Sequence, residues 1–184
     1  MILVAITGLM TAGAIGQSAQ GQDGTGAQWL PPASANHLAL RGYIVDTNAE
    51  TERVVACAAA KLPSEIRAVL ASVIVVGSFD DKRFQKSDPQ AQAFVIPGDA
   101  DHVYVTRWGF AYRAAIKGHE TELAGALAHE AWHLKNGPDE AGAYDQQLRI
   151  LNLLHASPLV VDRTRRAKDN AVYTQAFEKR KRRP

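Results

Sequence analysis

Hydrophobic and polar positions fall in blocks along the chain, and their spacing predicts a mostly helical protein with a few strands. Thr47 and Asn48 can cap a helix running to about Lys61, and Pro63-Ser64-Glu65 opens a second helix carrying Ile66, Val69 and Leu70. Ser72 to Gly77 is a continuous β-branched run, the pattern of a buried strand. Asp80 to Gln90 turns polar and reads as a surface loop. Ala93 to Ile96 and His102 to Thr106 flank the turn residues Pro97 to Asp101, which predicts an antiparallel hairpin. Helical periodicity returns at Trp108 to Lys117, Thr121 to Lys135, Pro138 to Leu154 and Leu159 to Phe177.

The chain begins differently. Ile2 to Gly16 is apolar and uncharged, and a polar Gly/Gln-rich stretch follows it. That layout predicts an export signal over residues 1–19, a flexible spacer over 20–36 and a periplasmic or secreted protein, although no Lys or Arg precedes Arg41. The apolar stretch falls short of the roughly 20 residues that a spanning helix needs, which argues against an integral membrane protein. Residues 37–160 are then the folded domain, and 161–184 a basic helix or tail.

Charge sharpens that division. The whole chain of 184 residues carries a formal charge of +2, but residues 161–184 hold 9 Lys and Arg against 3 Asp and Glu, whereas residues 1–160 hold 12 against 16. The basic end can meet an anionic surface or polymer through counterion release; its bland reading is a solvated tail, and no specific nucleic-acid partner is predicted. Cys57, the single cysteine, cannot form an internal disulfide and reads as a small buried thiol in a helix with no catalytic role.

The chemistry lies in His129-Glu130-Ala131-Trp132-His133. On a helix the two histidines stand one turn apart and about 40° around the axis, so both imidazoles can reach one ion, with Glu130 beside it. Leu123, Leu127, Ala131 and Leu134 fall on the other side, which would bury one face and leave the first to line a cleft. With 6 His in the chain such a motif arises by chance in about one chain in a hundred, so a third ligand is required. Helix-stop residues Asn136-Gly137 precede Pro138-Asp139-Glu140, where proline at a first helical position and acids in a first turn open a new helix. Glu140 would be returned toward the metal by the turn at Gly137, with Asp145 and Asp139 as competing carboxylates. His102, His119 and His155 read as surface or packing residues; any of them, or Tyr173, could polarise a substrate carbonyl.

The order Ala93-Phe94-Val95-Ile96-Pro97-Gly98, Val103-Tyr104-Val105-Thr106-Arg107, Glu122-Leu123-Ala124 and then His129 to His133 resembles the core of the CAAX-prenyl-protease and HtpX-like gluzincin metallopeptidases. Glu140-Ala141-Gly142-Ala143 is similar to that family's Glu-x-x-Ala, and the resemblance covers about residues 91–150. It implies a zincin-like α+β fold in which a small antiparallel sheet packs on the active-site helix, followed by a helix bearing the ligand Glu. Three features depart from the family, the first being the lack of transmembrane helices, as in its periplasmic members. Seven residues separate His133 from Glu140 where the family has a longer insertion, and Tyr144 stands where it has an outer carboxylate, so that Asp145 or Asp139 would have to orient a histidine.

These readings converge on a zinc-dependent endopeptidase acting on protein or peptide substrates. Zn2+ would be held by His129, His133 and Glu140, with Glu130 as the catalytic base for a metal-activated water. The strand His102 to Thr106 could pair with an extended substrate, and metal binding would add to the stability of a chain without disulfides. The alternatives are a non-catalytic zinc-binding or adaptor domain of the same fold, and a polyanion-binding protein acting through the basic tail.

Overall fold

The computed structural model describes residues 49–78, 80–82, 84 and 90–181. The expected signal and spacer, the Thr47-Asn48 cap, part of the polar loop and the last three residues lie outside the described residues. In order come α1 (Ala49–Ala60), α2 (Ser64–Arg67), β1 (Ser72–Val76), β2 (Ala93–Phe94), β3 (His102–Thr106), α3 (Phe110–Ile116), α4 (Thr121–Asn136), α5 (Glu140–Leu153) and α6 (Pro158–Lys181). The fold is α+β and mostly helical.

The sheet is mixed, which corrects the expectation of an antiparallel one. Its order is β1-β3-β2; β2 and β3 form the expected hairpin, while β1 runs parallel to β3 from Ser72 opposite His102 to Val76 opposite Thr106. Parallel neighbours need a crossover of a dozen or more residues, and residues 77–101 supply it. The polar loop is therefore part of the connection that sets the direction of β1. Because β3 is central, with β1 on one edge and β2 on the other, it cannot take a substrate strand, contrary to expectation. Among the described residues, β1 and β2 form the edges.

Strand alternation gives the sheet two faces. Val73, Val75, Val103, Val105 and Ala93 point into the main core against α1, α3 and α4. Ile74, Val76, Tyr104 and Phe94 point the other way, into a smaller cluster with Phe84 and Trp108. Phe94 and Tyr104 stack at 5.2 Å, and Phe84 meets Trp108 edge-on at 4.7 Å. Both faces are covered, which is why β1 is buried throughout and apolar from Val73 to Val76.

The central element is α4. Leu123, Leu127 and Ala131 enter the main core as the helical spacing requires, and Leu134 packs against it. The opposite side is not an open face, however, because every residue from Leu123 to Ala131 is buried. The covering comes from α5, which returns antiparallel after a short turn. Gly125 permits that approach: a methyl group there would lie 2.9 Å from Leu151 Cδ2. Gln146 Nε2 also donates to the Ala128 carbonyl at 2.6 Å.

On the outside of α5 lies α6, which buries Val161, Thr164 and Ala171. Lys168 pairs with Asp145, Arg163 with Glu122, and Gln175 Nε2 donates to the Pro138 carbonyl at 3.2 Å. Leu159, Tyr173 and Phe177 stay exposed. Cys57 is half-buried in α1 rather than sealed in the core. Among the described residues no helix is long and apolar enough to cross a membrane.

Candidate metal centre

Local sequence rules bring the chemistry together. The alanine-rich run Ala124-Gly125-Ala126-Leu127-Ala128 favours helix apart from its one glycine, and its small side chains let a second helix pack closely. Gly137 ends α4 with φ 80° and ψ −157°, a conformation open essentially to glycine alone. Its N–H donates to the His133 carbonyl at 2.9 Å. Asp139, not Pro138, is the residue before α5, so proline lies in the turn instead of at a first helical position. Glu140 thus becomes the first residue of α5, facing the last turns of α4.

His129, His133 and Glu140 are brought together, and they form the one group of potential metal ligands found among the described residues. The two Nε2 atoms are 3.1 Å apart. Glu140 places Oε2 3.4 Å from His129 Nε2 and Oε1 3.5 Å from His133 Nε2. Zinc with ligand distances of about 2.0–2.1 Å has tetrahedral edges of about 3.3–3.4 Å. The two nitrogens stand slightly closer than such an edge, and Glu140 lies astride the pair with a different oxygen toward each, so that one of its oxygens can complete a three-ligand set.

Both imidazoles are oriented for this role by their other nitrogens. His133 Nδ1 lies 2.8 Å from the Gly137 carbonyl, which can only accept, so Nδ1 carries the hydrogen and Nε2 offers a lone pair when the ring is neutral. His129 Nδ1 lies 3.2 Å from Gln147 Oε1, with the same consequence. Two lone pairs at 3.1 Å repel unless a positive charge stands between or beside them.

Electrostatics point the same way. Burial would lower the pKa of His133, but the hydrogen bond with Glu140, the Glu130 charge and the Gly137 carbonyl outweigh it and raise it to about 9. Burial would raise the pKa of Glu140, yet hydrogen bonds from both histidines and their charges bring it down to about 2. The pocket is thus arranged to hold positive charge, and protons and metal compete for it.

Glu130 is buried and follows His129 directly. Burial, only partly opposed by the two imidazoles, holds its carboxyl above the usual carboxylate range. It accepts no hydrogen bond from any described residue. A buried carboxylate without a partner is costly, and its position beside three metal-ligand atoms suits a base that acts on a water.

The competing acids lie elsewhere. Asp145 pairs with Lys168, and the Asp139 carbonyl accepts the Ala143 N–H while its carboxylate is outside the cluster. Neither orients a histidine, which corrects that expectation: the orienting groups are Gln147 and the Gly137 carbonyl. Among the proposed carbonyl-polarising groups, His102 bonds Asp99 at 2.7 Å on the sheet face turned away from α4, and Tyr173 is exposed on α6. His155 sits in the turn between α5 and α6 with φ 52°, and His119 precedes α4; neither joins the centre.

Three residues support the centre in ways the sequence does not show. Gln147 and Tyr144 share a face of α5 with Glu140, at spacings of seven and four. Tyr144 is fully buried with its ring edge-to-face on His129, centroids 4.5 Å apart, and burial together with the Glu140 and Glu130 charges keeps its phenol protonated. Gly142 lets the Trp132 indole lie directly on the first turn of α5, since a Cβ there would be 2.4 Å from Trp132 Cζ2. The spacing four and seven after Glu140 was the available signal. No family model, curated protein or solved structure matches this chain, and the reading of the centre rests on its own geometry.

Proposed function

We propose that this protein is a zinc-dependent metallopeptidase whose metal is held by His129, His133 and Glu140. The observation that carries the reading is the convergence of two Nε2 atoms and a carboxylate within 3.5 Å of each, with the buried Glu130 carboxyl on the same helix. The seven-residue link from His133 to Glu140 is long enough, because the Gly137 turn carries Glu140 straight back to the histidines. The resemblance to the HtpX-like gluzincins agrees with this ligand set.

Zinc in this position supplies a Lewis acid and lowers the pKa of a bound water toward 7. The chain's own residues do the rest. Gln147 and the Gly137 carbonyl hold the imidazoles in the tautomer that binds through Nε2. Glu130 takes the proton of the attacking water and passes it to the leaving amine, a task suited to a carboxyl held above its usual range. An extended peptide would find its free backbone edge on β2, the strand that packs against α4 on the helical side of the sheet. Export to the periplasm or outside the cell, and contact of the basic end of α6 with an anionic surface, belong to the same proposal.

The test compares the native chain with Glu130→Gln for bound zinc and for cleavage of unfolded protein. One zinc per chain in both, with cleavage lost only in the variant, supports the peptidase. Native protein that binds zinc but cleaves nothing in a broad peptide library makes the domain a non-catalytic zinc binder.

A further inference from the structure

Tyr144 is 1% exposed, yet its hydroxyl makes no hydrogen bond with any described residue. Buried tyrosines normally find a partner for that group. Unlike the Oγ of Ser72 and the Nε1 of Trp132, which are sealed without partners, the phenol oxygen touches solvent-accessible space. A helical side chain leans toward the N-terminus of its helix, which for Tyr144 means toward Glu140 one turn earlier. Its ring is fixed by the edge-to-face contact with His129 at 4.5 Å and 76°. A neutral donor, rigidly mounted and without a partner, therefore borders the centre.

We propose that Tyr144 is a further catalytic residue, whose hydroxyl donates a hydrogen bond to the carbonyl oxygen of the scissile peptide as that oxygen gains negative charge. The inference rests on the metallopeptidase reading. Water oxygen bonds to the carbonyl carbon, its proton passes to Glu130, and the carbonyl π pair moves onto oxygen opposite the Tyr144 hydroxyl. When the intermediate collapses, the C–N bond breaks and Glu130 returns the proton to the amine nitrogen. The Tyr144 O–H bond stays intact throughout. Placing a donor where charge develops is worth about 10²–10³ in kcat.

Tyr144→Phe keeps the ring on His129 and removes only the donor. The experiment uses the full zinc-loaded chain, a mixed fluorogenic peptide library and two peptide inhibitors, one a tetrahedral phosphinate and one a ground-state amide analogue. Expected for the variant are one zinc per chain, a melting temperature within a few degrees of native, KM within about threefold and kcat lowered about 10²–10³-fold. Phosphinate affinity should fall by a similar factor while amide affinity holds. An active native protein with an equally active Tyr144→Phe variant overturns the role of Tyr144 alone. Loss of zinc from the variant would also overturn it, assigning the ring to packing of His129. A native chain inert on the whole library removes the peptidase reading and this inference together.

Discussion

Replacing Gly142 by alanine puts a methyl group where the Trp132 indole lies. The added carbon would sit 2.4 Å from Cζ2 and 2.6 Å from Cε2 of Trp132, and 2.6 Å from Asp139 Oδ2. Ordinary carbon contacts are about 3.5–4.0 Å, so roughly 1 Å must be absorbed. A rigid indole between the two ligand histidines on α4 yields less readily than the first turn of α5, and that turn carries Glu140. Overpacking costs about 1–3 kcal/mol, offset by the roughly 1 kcal/mol by which alanine outranks glycine in a helix. The metal-free protein should therefore lose only about 0–2 kcal/mol. Metal sites tolerate about 0.2 Å in ligand distance, so zinc affinity should fall more, by about 10–100-fold. Chelator competition measures the affinity, and urea unfolding in EDTA measures the stability. Gly125→Ala is the comparison: its methyl meets the flexible end of Leu151 at 2.9 Å and Gln147 Cγ at an ordinary 3.5 Å, about two turns of α5 away from Glu140. It should weaken zinc less than Gly142→Ala does. A Gly142→Ala protein that binds zinc as tightly as native would refute the claim that Trp132 and Gly142 set the position of Glu140.

The outer shell and the protons give further expectations. Gln147→Leu removes the acceptor at His129 Nδ1 and should weaken zinc about 10–100-fold while α5 stays helical by circular dichroism; unchanged affinity would show that Gln147 does not orient the ring. In metal-free protein the raised His133 pKa contributes stability in full below its ordinary 6.5, lost as pH climbs through about 9. The lowered Glu140 pKa contributes in full above its ordinary 4.5, lost as pH falls through about 2. Urea unfolding in EDTA should accordingly be hardest between those two ordinary values, and a further rise in stability from pH 7 to 9 would contradict the linkage. Zinc displaces the His133 proton, so calorimetry at pH 7 in buffers of different ionisation enthalpy should show close to one proton released per zinc from this group. Binding enthalpies independent of buffer would count against it.

Much of the centre was legible because it is written in local spacing. Histidines four apart on a helix share a face, Asn136-Gly137 stops that helix, and Glu140 at the start of the next one returns to the same place. What supports the ligands was harder to see, because Gln147, Tyr144 and Gly142 act through the rotation of α5 against α4, a property of two packed helices together. An outer-shell carboxylate was expected from Asp139 or Asp145, and the chain uses an amide and a backbone carbonyl instead. The hairpin was readable from its turn, but the direction of β1 was not. Val73 to Val76 would be buried in either orientation, so their pattern does not distinguish parallel from antiparallel pairing with β3. Spacing likewise suggested that one side of α4 would be open, whereas the small side chains there admit α5.

X-ray absorption at the zinc edge on the full, zinc-loaded chain, taken together with metal stoichiometry for native protein and Glu140→Ala, tests whether His129, His133 and Glu140 hold one zinc. Expected is one zinc per native chain in a four-coordinate shell of two imidazole nitrogens and two oxygens at about 2.0–2.2 Å, one oxygen from Glu140 and one from water. Glu140→Ala should lose the tight zinc. A chain that retains no zinc after dialysis, or whose zinc keeps the same shell without Glu140, would contradict it.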